Sequence, residues 1–328
     1  MPHYNEPMLP SVAIATGDPS GIGPEISLKA ALDPKTRELC RPILVGDRGV
    51  LEAHAKACGL SLEGVALMER SQLAPGELKI GEIRPAHGRA TLDSAKAAVR
   101  AALAGQVQAV VAAPHNETAI HQAGIEFDGY PSFVARLAGL QPEDGILMLC
   151  FQYEGREVRI AHVTLHTSVA AALRLISAER VARTIKEVAG TLRKLGIARP
   201  RLAIGGINPH AGEGGLFGDE ESVHLKPALE EARHAGIEVD GPFGADIMIQ
   251  KKGYDAYVVM FHDQGHIAAK LLAPQRVAGM TIGTPVIFSS VAHGSAHDIA
   301  GKNLAQHGAM LEAIARVTGK SLATSSRE

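Results

Sequence analysis

Cysteine is scarce in this chain: Cys40, Cys58 and Cys150 lie far apart, are odd in number and form no Cys-x-x-Cys pair. That pattern points away from a thiolate zinc site or a redox pair and fits reduced core thiols in a cytosolic protein. Charge of one sign is lacking too, since 33 Lys and Arg face 35 Asp and Glu for a net charge of −2, with no basic run. Nothing here tracks a phosphate backbone, so nucleic acid is not an expected partner. Long apolar runs are also missing: no segment offers the roughly 18 uninterrupted apolar residues of a membrane span. The start, Met1 to Pro7, shows no basic stretch followed by an apolar one, so a cytoplasmic protein without membrane contact is expected. No internal repeat is visible, and low complexity is confined to the polar tail after Lys320.

What is present suits an α/β protein. With 328 residues, 46% apolar and 21% charged, the chain exceeds the usual size of a single core, so two domains are expected. Ser11 to Thr16 reads as a strand, followed by the loop Gly17-Asp-Pro-Ser-Gly-Ile-Gly-Pro24-Glu25 and a helix. Pro24 fits a first helical position, and the free N–H groups there could hold an anion. The glycine spacing is nevertheless wrong for a dinucleotide fingerprint, and the lysine of a P-loop is absent. Strand and helix then alternate: strands at 42–47, 109–114, 158–165 and 201–205, helices at 48–58, 91–104 and from Ser177 to Leu195, closed by Gly196. The turn-rich stretch Gly124 to Ser132 reads as a crossing between lobes.

The most informative stretch runs from Tyr257 to Lys270. An apolar strand stops on His262-Asp263-Gln264-Gly265, and an amine, Lys270, follows. Two further strands end on imidazoles, at His166 and His210. Ligands bind outside the carboxyl ends of strands in α/β sheets, so one face could gather all three. Three neutral imidazoles make an open metal site, with zinc the first expectation. Asp263 and Asp246 could orient the ligands, and Lys270 could neutralise a substrate carboxylate or move a proton. His115, His162, His266 and His293 are rival imidazoles among the fifteen in the chain.

His262-Asp-Gln-Gly, Gly-Ile-Asn-Pro-His210-Ala-Gly-Glu, Gly17-Asp-Pro-Ser-Gly-Ile-Gly-Pro-Glu25 and Asp240-Gly-Pro-Phe-Gly-Ala-Asp246 together resemble the 4-hydroxythreonine-4-phosphate dehydrogenase family over nearly the whole chain. The resemblance implies a two-domain α/β/α fold of the isocitrate and isopropylmalate dehydrogenase type, with its active site in the interdomain cleft. The first domain is expected at 1–128 plus 285–328, and the second, carrying the metal histidines and the dimer contacts, at 129–284. A homodimer, NAD or NADP bound without the usual fingerprint, and one divalent metal per site are implied as well. His166, His210 and His262 match the metal ligands, one of them expected from the partner chain, and Lys270 matches the substrate-binding lysine.

Four positions depart from that pattern. The family's His-Thr pair is Tyr130-Pro131 here, its Asn is Gly279 and its Arg is Phe288. An aromatic ring cannot replace a bidentate anion donor, so a phosphate ester is the poorer fit. Pro114-His115-x-Glu117, Gly129-Tyr-Pro-Ser132, His162-Val-Thr-Leu-His166 and His262-Asp-Gln-Gly-His266 instead resemble the terephthalate cis-dihydrodiol dehydrogenase branch. That resemblance implies oxidation and decarboxylation of 1,2-dihydroxy-3,5-cyclohexadiene-1,4-dicarboxylate to protocatechuate, CO2 and NADH. Tyr130, His115 and Ser289 or Ser290 are the candidate donors to the second ring carboxylate. A phosphorylated substrate, 4-hydroxythreonine phosphate or a phospho-sugar acid, is the alternative, and a catalytically idle metal-binding relative is a third.

Overall fold

The computed structural model describes residues 9–70, 73–274 and 277–320. The chain divides into two units, Met1–Gly139 with Pro285–Glu328, and Leu140–Thr284. The boundary expected at 128/129 falls eleven residues later, because the helix that begins at Tyr130 buries Tyr130 and Val134 beside Val110 and Phe288 in the first unit's core.

In the first unit, strands β1 (Ser11–Ala15), β2 (Arg41–Gly46), β3 (Ala66–Glu69), β4 (Ala109–Ala112) and β11 (Phe288–Val291) lie in the order β3-β2-β1-β4-β11. Each pairs in parallel with its neighbours, and the buried runs of β1 and β4 follow from cover on both faces. Helices α1 (Gly23–Leu32), α2 (Pro34–Leu39), α3 (Arg48–Cys58), α4 (Pro85–Leu103), α5 (Glu117–Gln122), α6 (Tyr130–Leu137) and α12 (Gly308–Val317) complete it. Helix α4 starts at Pro85, earlier than its alanine-rich half suggested, because a proline is well placed in a first turn. Its Ala95, Ala98 and Val99 meet Ala13, Ala15 and Val110, and small side chains let helix and sheet approach closely.

The second unit has strands β5 (Ile146–Tyr153), β6 (Arg156–His162), β7 (Arg201–Gly205), β8 (Glu238–Phe243), β9 (Ala256–Val259) and β10 (Ala278–Ile282) in the order β10-β5-β6-β9-β7-β8. The first two pairings, β10 to β5 and β5 to β6, are antiparallel; β6, β9, β7 and β8 run parallel. Helices α7 (Val169–Leu175), α8 (Ala178–Lys194), α9 (Lys226–His234), α10 (Ala245–Met248) and α11 (His262–Leu272) accompany them. The Ser177 hydroxyl caps α8 by accepting from the Arg180 N–H, and Val181, Ile185, Val188 and Leu192 form its buried face. The parallel half matters most for chemistry, since β6, β7 and β9 point their carboxyl ends the same way. Among the described residues, no helix is long and apolar enough to cross a membrane.

Candidate active site

Strand β9 is short and fully buried, and α11 begins three residues after it, at His262 itself. Gln264 sets this junction. Its Oε1 accepts from the Met260 and Phe261 N–H groups (2.9 and 3.1 Å), and its Nε2 donates to the Gly206 carbonyl at the exit of β7 (3.0 Å). One amide thus ties the strand exit before His262 to the one before His210. The exit of β6 follows β9 in the same manner, with Thr164 donating its N–H and its hydroxyl to the Met260 carbonyl (3.1 and 2.6 Å). That pairing brings the His166 ring to 5.6 Å from the His262 ring, centre to centre.

Two rivals in the sequence complete a column of imidazoles. His266, one turn along α11, stacks on His262 at 3.7 Å with 7° between planes, and His162 lies 4.9 Å from His266. Burial, and then its imidazole neighbours, push His162 down to about 3 and His266 down to about 4, so both stay neutral near pH 7. Gly265 is what lets α11 approach: a Cβ there would sit 2.3 Å from the His162 Nε2. Only burial exposes this pair's role, because a histidine that props another histidine has the same sequence signal as one that binds a metal.

His262 shares its Nδ1 with the Asp263 carboxylate (2.7 Å), and His210 shares its Nδ1 with Glu213 (3.0 Å). A carboxylate that accepts the Nδ1–H fixes the tautomer in which Nε2 is the basic nitrogen, as in carboxylate–histidine–metal arrangements. The donor set therefore fits a divalent metal. The single chain nevertheless does not close the site. His210 makes its ring contact with Phe217 (6.1 Å), and no group of three His, Cys, Asp or Glu side chains with metal-binding geometry occurs among the described residues.

His210 stands on an unusual loop. From His210 to Gly214 every residue has positive φ, at 53°, 55°, 80°, 43° and 70°, although only two of the five are glycines. A left-handed conformation costs a residue with a Cβ roughly 1–2 kcal/mol, so His210, Ala211 and Glu213 hold it only because something outside the loop compensates. Glu221 is the group in place to do so. Its carboxylate is buried and accepts from the Ile207 and Asn208 N–H groups (2.8 and 2.7 Å) and from the Asn208 side-chain amide (3.0 Å). Burial alone would raise its pKa, but these donors outweigh it and hold the carboxyl below the usual range.

Asp246 and Asp263 both line a cavity of about 800 Å³ with Gln264, Arg156 and Ile267. Lys270 is exposed on α11, and its charge contributes, after burial and His262, to the lowered pKa of His266.

In the first unit, His115 follows β4 and Tyr130 opens α6, with ring centres 5.0 Å apart. Tyr130 also meets Phe127 at 5.5 Å and Phe288 at 5.0 Å. Two of the departures from the family pattern, Tyr130 and Phe288, are therefore one event in space: an aromatic cluster occupies both positions. Tyr130 is only 4% exposed, and its hydroxyl is buried with no hydrogen-bond partner among the described residues. Burial raises its pKa and lowers that of His115. Ser289 is fully buried in β11. A network not anticipated lies nearby in sequence: the Asp18 carboxylate in the glycine loop accepts from the Ser20 N–H and hydroxyl (3.0 and 2.9 Å) and pairs with the His297 Nε2 (2.8 Å). It locks that loop to the segment after β11, and only the turn-forming residues around Asp18 hinted at it.

Parallel strands that end on imidazoles, two of them with a carboxylate on Nδ1, give the second unit side chains suited to metal-assisted chemistry. Comparison with known proteins makes the class specific. The family profile of the pyridoxal phosphate biosynthetic protein PdxA matches residues 38–317, and the chain belongs to that family, an oxidoreductase among dehydrogenases. It is 45% identical to 1,2-dihydroxy-3,5-cyclohexadiene-1,4-dicarboxylate dehydrogenase of a Comamonas species, over 93% of this chain and 96% of that protein. Among solved structures it is similar to a terephthalate 1,2-cis-dihydrodiol dehydrogenase from Burkholderia xenovorans (42% identity, TM-score 0.73, covering 96% and 100% of the two chains). It is also similar to a 4-hydroxythreonine-4-phosphate dehydrogenase from Burkholderia phymatum (33% identity, TM-score 0.80, covering 95% and 98%). The expected kinship with the isocitrate dehydrogenase type is distant: a β-decarboxylating dehydrogenase from Thermococcus kodakarensis shares 16% identity at a TM-score of 0.53, covering 94% and 82% of the two chains, a likeness of fold alone.

Proposed function

We propose that the chain catalyses metal-dependent, NAD(P)-linked oxidative decarboxylation of a β-hydroxy acid, with terephthalate cis-dihydrodiol as substrate and protocatechuate, CO2 and NADH as products. The observation that carries this reading is the pair His166 and His262 at neighbouring strand exits, with Asp263 fixing the His262 tautomer. His166, His210 and His262 would hold the metal, zinc first among the candidates, in a homodimer whose partner chain supplies one of the three. Apolar side chains left exposed in the second unit, among them Val169, Leu216, Ile267 and Leu271, support a partner surface there. A bound divalent metal supplies Lewis acidity toward the substrate hydroxyl and the carboxylate being lost, and NAD or NADP supplies the hydride acceptor.

The chain's own residues do the rest. Asp263 and Glu213 keep the ligand nitrogens basic and oriented. The Lys270 ammonium neutralises a substrate carboxylate and can deliver a proton as the carbon dioxide leaves. Asp246 lines the same cavity as Asp263 and is assigned to orienting the ligand set with it. His115, Tyr130 and Ser289 are assigned to the second ring carboxylate. The Tyr130 hydroxyl is the sharpest of these assignments, since it lacks a partner in the ligand-free chain.

NADH formation in the presence of a divalent metal tests the reading, comparing the dihydrodiol with 4-hydroxythreonine phosphate at equal concentration. Turnover of the dihydrodiol alone, abolished by a chelator and by His262→Ala, is the expected result. Turnover of the phosphate ester alone overturns it and favours the second reading, vitamin B6 or phospho-sugar acid metabolism, which the likeness to the Burkholderia phymatum enzyme supports.

A further inference from the structure

We propose that Glu221 is a positioning residue whose buried carboxylate holds the left-handed turn 210–214 and thereby aims His210 at the metal. The inference rests on the reading of His210 as a ligand and adds to it the group that makes His210 usable.

The turn cannot hold itself. Three of its five left-handed residues carry a Cβ, and an isolated loop of that sequence would relax to right-handed or extended conformations. Glu221, arriving from the turn Glu221–Leu225 that leads into α9, closes the loop from outside. Its Oε1 accepts the half-buried Ile207 and Asn208 N–H groups at the exit of β7, and its Oε2 accepts from the Asn208 side-chain amide, which also donates to Glu220. The loop then folds down on the carboxylate: a Cβ on Gly212 would lie 2.7 Å from the Glu221 Oε2, and one on Gly206 would lie 2.8 Å from the Ala211 Cα. Both glycines are needed for loop and carboxylate to come this close. Glu221 contributes no bond to His210, whose Nδ1 belongs to Glu213, so its action is through the backbone.

The test uses the full chain freed of metal and titrated with zinc alone against a competing chromophoric chelator, with thermal melts in parallel. Glu221→Ala is expected to weaken zinc binding about tenfold or more, the usual effect of removing a group that orients a ligand. Glu221→Gln keeps an oxygen for the two backbone donors but turns an NH2 toward Asn208, and is expected to fold and to weaken zinc binding a few-fold. Combining either with His210→Ala should add nothing to the loss caused by His210→Ala, because the two residues act through one ligand. A merely structural glutamate would lower the melting temperature of each variant and leave the zinc Kd of the folded protein unchanged. That outcome overturns the proposal while His210 stands as a ligand. An unchanged Kd in His210→Ala overturns the ligand assignment itself, and the proposal with it.

Discussion

Tyr130→Phe should make the ligand-free protein more stable and the enzyme worse at binding substrate. The ring keeps its neighbours in the variant, since the contacts with His115, Phe127 and Phe288 involve the ring and not the hydroxyl. What changes is a buried oxygen with no partner. Leaving such a group unsatisfied costs about 1–3 kcal/mol, so its removal is expected to stabilise by about 1 kcal/mol, roughly 2–4 °C in the melting temperature of a domain this large. In the complex the sign reverses. A hydroxyl that donates to a substrate carboxylate contributes about 1.5–3 kcal/mol, so KM should rise roughly tenfold or more with kcat little changed, the mark of binding shared by ground and transition states. Melting curves and initial rates on one preparation decide it. A variant with a higher melting temperature and an unchanged KM reduces Tyr130 to a core residue. A lower melting temperature shows instead that the hydroxyl has a partner in the free chain, and the reasoning collapses at its first step.

Two further outcomes follow from the packing of buried histidines. Gly265→Ala should gain about 1 kcal/mol from helix propensity and lose more than that to the collision 2.3 Å from the His162 Nε2. A shift of His262 on the scale of 1 Å can cost about a hundredfold in rate, so an active, stabilised variant would contradict the packing described here. His54, fully buried with its Nε2 on the Pro19 carbonyl, has its pKa lowered first of all by burial. The unfolded chain then binds a proton near pH 6.5 that the folded chain refuses, so stability is full above that pH and falls as pH drops below it. His54→Gln, which can still donate to Pro19, should lose less stability between pH 7.5 and 5.5 than the parent protein does. Urea midpoints at the two pH values measure this, and identical pH dependence in both proteins would refute the assignment.

The strand exits were legible because a buried parallel strand writes itself as an apolar run, and the first polar residue after it marks the ligand face. His166, His210 and His262 stood out on that ground alone. His162 and His266 carried the same signal, and nothing in their spacing says that one is buried and the other stacked on His262. The lobe crossing misled for a related reason. Turn residues from Gly124 to Ser132 look like a linker, yet Tyr130 is large and apolar enough to anchor α6 in the first unit. The turn at 210–214 was illegible in principle, since His, Ala and Glu have no preference for positive φ; only a carboxylate eleven residues beyond His210 makes it possible. Likewise, a sequence can nominate three imidazoles for a metal, but it cannot show how many of them a single chain gathers.

The amide of Gln264 has a consequence for how this half of the site meets its ligands. Because it clasps the exits of β9 and β7 at once, those two exits are joined before anything binds, and their freedom was surrendered when the chain folded. An incoming ion or substrate then loses little more of it. Selectivity then rests with the turn at 210–214, which sets where the His210 ring stands relative to those joined exits.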